Sequence, residues 1–261
     1  MSAICGLYHL DSKIADPAAL EATRRSLDAF GPDGTQCWHA GPVAFSHHQL
    51  WVTPESKHES LPWHDTNLGL SLTADARLDN REVLLSELGL ASTVDAPLPD
   101  SQLILHAYAK WGTACPDHLL GDFAFAIWDA REQQLFCARD LFGVMPFFYY
   151  HSPAQFWFAS TLEAVRATSD VPQEIDYGHM AAYFRASGNA SYTERTWYVG
   201  VRRLLPAHAM IVNARGIRTW AYWRPEQVPE LPPSSHTRSY RRCPARAPAA
   251  ATTGFFGYRA E

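Results

Sequence analysis

The side chains able to do chemistry are spread thinly over the 261 residues. The five cysteines, Cys5, Cys37, Cys115, Cys137 and Cys243, form no Cys-x-x-Cys pair and no cluster with histidine. That spacing argues against a disulfide framework and against structural zinc. Among the histidines, His47 and His48 are adjacent, and neighbours on a strand point to opposite faces. No metal site is expected. Asp100 opens a run with apolar residues Leu103, Ile104, Ala107 and Trp111 at helical spacing, so its simplest role is that of an N-cap.

The elements that must position these groups are legible from turn residues and periodicity. Cys5 to Leu10 reads as a buried opening strand closed at Asp11-Ser12. Asp16-Pro17 starts a helix carrying Leu20 and Leu27, with Asp16 as cap and Pro17 at the first helical position. Gly31-Pro32-Asp33-Gly34 stops it. Val43 to Thr53 and Leu68 to Thr73 have strand character. Asn80 to Leu88 reads as a short helix capped by Asp79 or Asn80. Phe123 to Trp128 and Leu135 to Arg139 form an antiparallel pair around the turn Asp129 to Glu132. Phe147 to Tyr150 and Phe156 to Ala159 add two strands. Tyr177 to Arg185 looks helical, and Arg203 to Val212 with Arg218 to Trp223 forms a last pair. Hairpin-linked strands with inserted helices predict an α+β layered fold with mostly antiparallel sheets.

Composition bounds the rest. With 47% apolar and 19% charged residues the chain is ordinary globular protein, long enough to bury a core without staples. No apolar run reaches membrane-spanning length and no signal-peptide pattern opens the chain, so a cytoplasmic, membrane-free protein is expected. The net charge of −5 shows no basic stripe, which argues against nucleic acid as a partner. The charge is unevenly placed: residues 236–261 carry a local balance of +4, leaving −9 on the remainder. Beyond about Glu230 apolar periodicity stops. Residues 226–261 therefore read as a linker and an aberrant, basic, disordered tail.

The run from Leu119 to Asp129, Leu-Leu-Gly-Asp-Phe-Ala-Phe-Ala-Ile-Trp-Asp, is followed by Ala138 to Tyr149, Ala-Arg-Asp-Leu-Phe-Gly-Val-Met-Pro-Phe-Phe-Tyr. Together they closely resemble the glutaminase domain of glutamine-hydrolysing asparagine synthetases and their relatives. Gly31 to Asp33, His47 to Leu50, Asp100 to Leu105 and Glu194 to Pro206 extend the resemblance in order over residues 1–225. It implies a four-layer αββα sandwich of the N-terminal-nucleophile hydrolase type. In such a domain residue 2, freed by loss of Met1, attacks the amide of glutamine. One residue then supplies both a nucleophile and an α-amine to act as its base. The ammonia would pass to a synthetase domain using ATP and Mg²⁺, cofactors that this chain itself is not expected to bind.

Matched position by position, the resemblance puts Ser2 at the nucleophile, whose hydroxyl is far less acidic than a thiol. Cys5 would lie on the opposite face of the strand and reads as core. Gln49, just before Leu50, replaces the arginine that holds the substrate carboxylate, and an amide lacks the guanidinium fork and charge. Ala74, Asp75 and Ala76 stand where the resemblance expects an Asn-Gly oxyanion hole and a glutamate. Losing one such donor costs about 3–4 kcal/mol, and Asp75 would set a carboxylate near a developing oxyanion. Phe30 replaces an arginine. Asp100 keeps its place as the ammonium holder, and His47 also matches. The ATP-binding Ser-Gly-Gly-x-Asp-Ser loop is absent, Ser187-Gly188-Asn189 being the nearest fragment.

These residues lead to an expectation of a glutaminase-type domain that is degenerate in glutamine hydrolysis and truncated before its synthetase domain. The partners implied are glutamine or another amino acid and a separate or lost synthetase domain. Relatives with eroded glutaminase sites include lasso-peptide cyclases. Two alternatives stay open: an active Ser2 amidohydrolase with a changed substrate, and a non-catalytic module that binds an amino acid or a partner protein.

Overall fold

The computed structural model describes residues 1–90, 98–185 and 193–227. The basic tail from 228 onward and the Ser187-Gly188-Asn189 fragment lie outside the described residues. Within them, two six-stranded sheets pack face to face. The first contains β1 (Ala3–His9), β2 (Gly34–Ala40), β3 (Val43–Gln49), β8 (Phe148–His151), β9 (Gln155–Ala159) and β10 (Val201–Arg203), in the order β10-β8-β9-β1-β3-β2. The second contains β4 (Trp63–Asp65), β5 (Leu70–Leu78), β6 (Gly121–Asp129), β7 (Gln134–Arg139), β11 (His208–Asn213) and β12 (Gly216–Ala221), in the order β12-β11-β7-β6-β5-β4. Every strand pairing is antiparallel.

The period-two alternation of strands sorts the side chains into three cores. Between the sheets lie Ile4, Tyr8, Val43, Phe45, Ala124, Ala126, Phe156 and Phe158. Gly6 belongs to this inner face: a Cβ there would sit 2.5 Å from the Phe158 ring and 2.8 Å from that of Phe45. On the outer face of the first sheet, Ala3, Cys5, Leu7, Ala44 and Trp157 pack against α1 (Glu21–Arg25) and α4 (Leu162–Arg166). On the outer face of the second, Leu70, Leu72, Ala74, Phe123 and Phe125 meet α2 (Arg81–Leu88) and α3 (Asp100–Trp111). The layers therefore run helix, sheet, sheet, helix, as the resemblance implied. α5 (Tyr177–Arg185) completes the helices described.

Local chemistry accounts for the key turns. Asp129 Oδ1 accepts the N–H groups of Arg131 and Glu132 at 3.0 and 3.1 Å, which closes the β6–β7 hairpin. The buried Asp140 accepts from Phe142, Val144 and Met145 at 2.9–3.0 Å and folds the loop after β7. Asp16 caps as expected, accepting from Ala18 N–H at 2.8 Å. Asp100 does not cap α3: Pro99 stands at the N-cap, and the Asp100 carboxylate turns back to β5. Asn80 likewise makes no cap bond, because its side chain bridges His118 O and Leu120 N–H.

Candidate functional site

Ser2 sits at the start of β1, where the first sheet passes Leu50 at the end of β3. Its hydroxyl accepts from Leu50 N–H at 3.1 Å and lies 3.3 Å from Leu50 O, to which it donates. Cys5 is on the other face of β1, fully buried among the helix-facing residues. Burial pushes its thiol far above the ordinary range. Ser2 and Cys5 thus diverge, as strand alternation requires.

Gln49 is buried, and its side-chain amide donates to Ser56 O at 3.3 Å and Glu59 O at 2.9 Å. It fastens the segment after β3 back onto the sheet and has its donors engaged inside the protein. Asp33 Oδ2 holds the same segment through Trp51 N–H at 2.8 Å. Phe30, at a position where the resemblance expects arginine, packs against the outer core of the first sheet.

β5 separates the three residues matched to the oxyanion hole. Ala74 and Ala76 face α2 and α3 and belong to the outer core. Asp75 alternates to the inner face and comes beside Ser2. It is 6% exposed, and its Oδ2 has no hydrogen-bond partner among the described residues. Burial raises the carboxyl to about 7. The N-terminal ammonium and the Ser2 backbone N–H pull against that rise, and Glu59 adds to it.

Asp100 is buried and accepts Leu78 N–H at 2.9 Å; it also forms a close ion pair with Arg81, whose guanidinium reaches Leu98 O as well. Glu59 accepts Ser101 N–H at 3.3 Å at the start of α3, and burial raises its carboxyl too. Glu55 and Glu59 both favour the charged form of Arg81. Neither Glu59 nor Arg81 stands out in the sequence: each sits in a polar stretch where a charged residue needs no explanation.

His47 lies opposite Ile4 on the inner side of β3 and is 1% exposed. Burial drives its imidazole down to about 3, so it is neutral, and neither ring nitrogen has a partner among the described residues. His48 points the other way, toward Thr35 at 3.3 Å. No group of three or more His, Cys, Asp or Glu side chains converges as a metal site among the described residues. No helix among them is long and apolar enough to cross a membrane.

The glutamine amidotransferase domain family matches residues 1–223. The chain belongs to this family. Asparagine synthetase (glutamine-hydrolyzing) 3 of Bacillus subtilis is 30% identical over 87% of this chain and 36% of its own length. A Penicillium rubens protein named amidase chyE is 26% identical over 80% of the chain and 32% of its own. The chain thus spans about a third of the length of these curated relatives. The B. subtilis glutamine phosphoribosylpyrophosphate amidotransferase, solved with ADP and GMP, superposes with a TM-score of 0.60 at 15% identity. It covers 85% of this chain and 49% of that one, a likeness of fold.

The side chains of Gln49 and Asp100 are engaged within the protein, whereas one oxygen of Asp75 has no partner among the described residues.

Proposed function

We propose that this chain is the glutaminase-type domain of an asparagine synthetase-like, amide-forming ligase, and that its glutamine-hydrolysing site is degenerate. Its contribution is then to scaffold a synthetase half, on the same chain or another, and the ATP and Mg²⁺ of the ligase belong to that half. The observation that carries this reading is the state of Asp100. It is the one substrate-holding residue that keeps its expected identity, and it is paired with Arg81 and Leu78 N–H. The oxyanion position supports the reading as well. Asp75, facing Ser2, is an acceptor when ionised, and it would repel the negative charge that develops on an attacked amide oxygen.

The decisive measurement is ammonia release from L-glutamine by the purified chain, with Met1 removed and the intact mass recorded alongside. Release at the background rate by folded protein is the expected result. Turnover that disappears in Ser2→Ala would overturn the proposal and make Ser2 a working nucleophile.

A further inference from the structure

We propose that Asp75 is the internal counter-ion for the α-ammonium of Ser2 in the form of the chain from which Met1 has been cleaved. The pairing would join the start of the first sheet to the centre of the second. It rests on the reading of Ser2 as the residue at the nucleophile position, and it supplies a reason why that nucleophile would be idle.

Three observations carry it. Asp75 is a buried carboxyl with an oxygen that has no partner among the described residues. A buried ionised group in that condition is costly. Ser2 is held in place independently, by the two contacts between its hydroxyl and the Leu50 backbone. The chain's ammonium and the Ser2 backbone N–H already favour the ionised form of Asp75, while Glu59 disfavours it. The remaining charged group on this face of β5 is Arg77, which is engaged with Asp79 and Asp122. His47, on β3, is neutral. Apart from the N-terminal ammonium, no cation among the described residues acts on Asp75.

Met1 is cleaved by hydrolysis. Water adds across the Met1–Ser2 peptide bond on a methionine aminopeptidase, free methionine leaves, and the Ser2 nitrogen becomes an ammonium. One peptide N–H is thereby replaced by a charged group with three donors at the same place. A charge-assisted bond to the orphan oxygen of Asp75 follows. The carboxyl then stays ionised and the amine stays protonated. A protonated amine cannot take the Ser2 hydroxyl proton, so the base that a terminal nucleophile needs is withheld.

The test uses the full chain released from an N-terminal fusion, cut to leave either Met1 or Ser2 as the first residue, each with and without Asp75→Asn. At pH 8 the substitution should change the melting temperature of the Met1-bearing form little, because there the ammonium answers the Asp75 carboxylate electrostatically but leaves one of its oxygens without a partner. It should lower that of the Ser2-terminal form, because it removes the partner of the ammonium. An equal change in both forms overturns the proposal. Titration of the α-amine in the unmutated Ser2-terminal chain, followed by its labelling rate against pH, needs no variant and serves if Asp75→Asn fails to fold. Opposite charges this close shift a pKa by about 1–3 units. The amine should therefore titrate at least about one unit above the ordinary range of about 7.7–8.0. Titration within that range overturns the pairing. Glutamine turnover, measured on the same samples, bears on the degenerate site alone, so the two ideas fail separately.

Discussion

The carboxylate of Asp100 accepts the backbone N–H of Leu78 at 2.9 Å and so ties the first turn of α3 to the last residue of β5. Arg81, in the first turn of α2, closes the triangle through its ion pair with the same carboxylate. Because the pair is largely buried, removing one partner strands the other. Asp100→Ala should destabilise the domain by about 2–4 kcal/mol, read from the midpoint of urea unfolding. A loss below about 0.5 kcal/mol would show that Asp100 is not a structural residue and return it to the role of substrate holder.

The same residue shows where sequence reasoning stops. Its identity and its place at the head of a helix are legible from the helical spacing of Leu103, Ile104 and Ala107. That its carboxylate turns away from the helix is not, because the partners Leu78 and Arg81 are 22 and 19 residues earlier and no local pattern connects them. Strands were legible where they alternate or run apolar, as in β1, β3 and β6. β2 is a largely exposed edge strand and β4 has three residues, so neither leaves an apolar signature. β5 continues past Thr73 to Leu78 because Asp75 and Arg77 face inward without breaking the ladder to β6. The segment expected as one strand from Arg203 to Val212 is split by Leu204 to Ala207, where Pro206 lacks a donor and Ala207 has a φ of 56°. The helix expected from Asp16-Pro17 up to the Gly31 turn is broken into a 3-10 turn at Pro17–Leu20, a short α segment at Glu21–Arg25 and a second 3-10 turn at Asp28–Phe30.

Gln49 gives a second prediction. Its two bonds to Ser56 O and Glu59 O hold residues 50–60 against β3. Gln49→Ala should cost about 1–3 kcal/mol, since two carbonyls lose their donor, and should expose this segment to proteases. Limited proteolysis with mass mapping would locate the first cut. An unchanged digestion pattern, with unchanged stability, would mean that the bonds are dispensable and that Gln49 is available to a ligand.

The cysteines should sort by burial. Cys5, Cys115 and Cys137 are buried, and burial pushes all three thiols well up; Cys37 is exposed. Among the four described cysteines, iodoacetamide at pH 8 should therefore alkylate Cys37 in the folded chain and leave Cys5, Cys115 and Cys137 intact until denaturant is added. Peptide mapping reads this directly. Rapid labelling of Cys5 in folded protein would contradict its place in the helix-facing core and reopen it as a nucleophile.

The inner face of β3 makes the pH dependence testable through His47. Its folded-state value, about 3, lies below the ordinary value of 6.5 because burial penalises the imidazolium. A histidine lowered on folding binds its proton more readily in the unfolded chain. Its neutral form is accommodated in full above pH 6.5, and stability is lost as pH falls from there toward 3. One group of this kind contributes a slope approaching about 1.4 kcal/mol per pH unit in that window. Asp75 and Glu59 carry raised values and act in the opposite sense over part of the range, so the absolute curve mixes the contributions. The difference between the wild-type chain and His47→Gln isolates the one that matters. Unfolding free energies measured every half unit from pH 4 to 8 should give two curves that diverge on the acid side, the wild-type falling faster. Parallel curves would mean that His47 is protonated at little cost in the folded domain. The buried place assigned to it, opposite Ile4 and Gln36 in the strand register, would then be wrong.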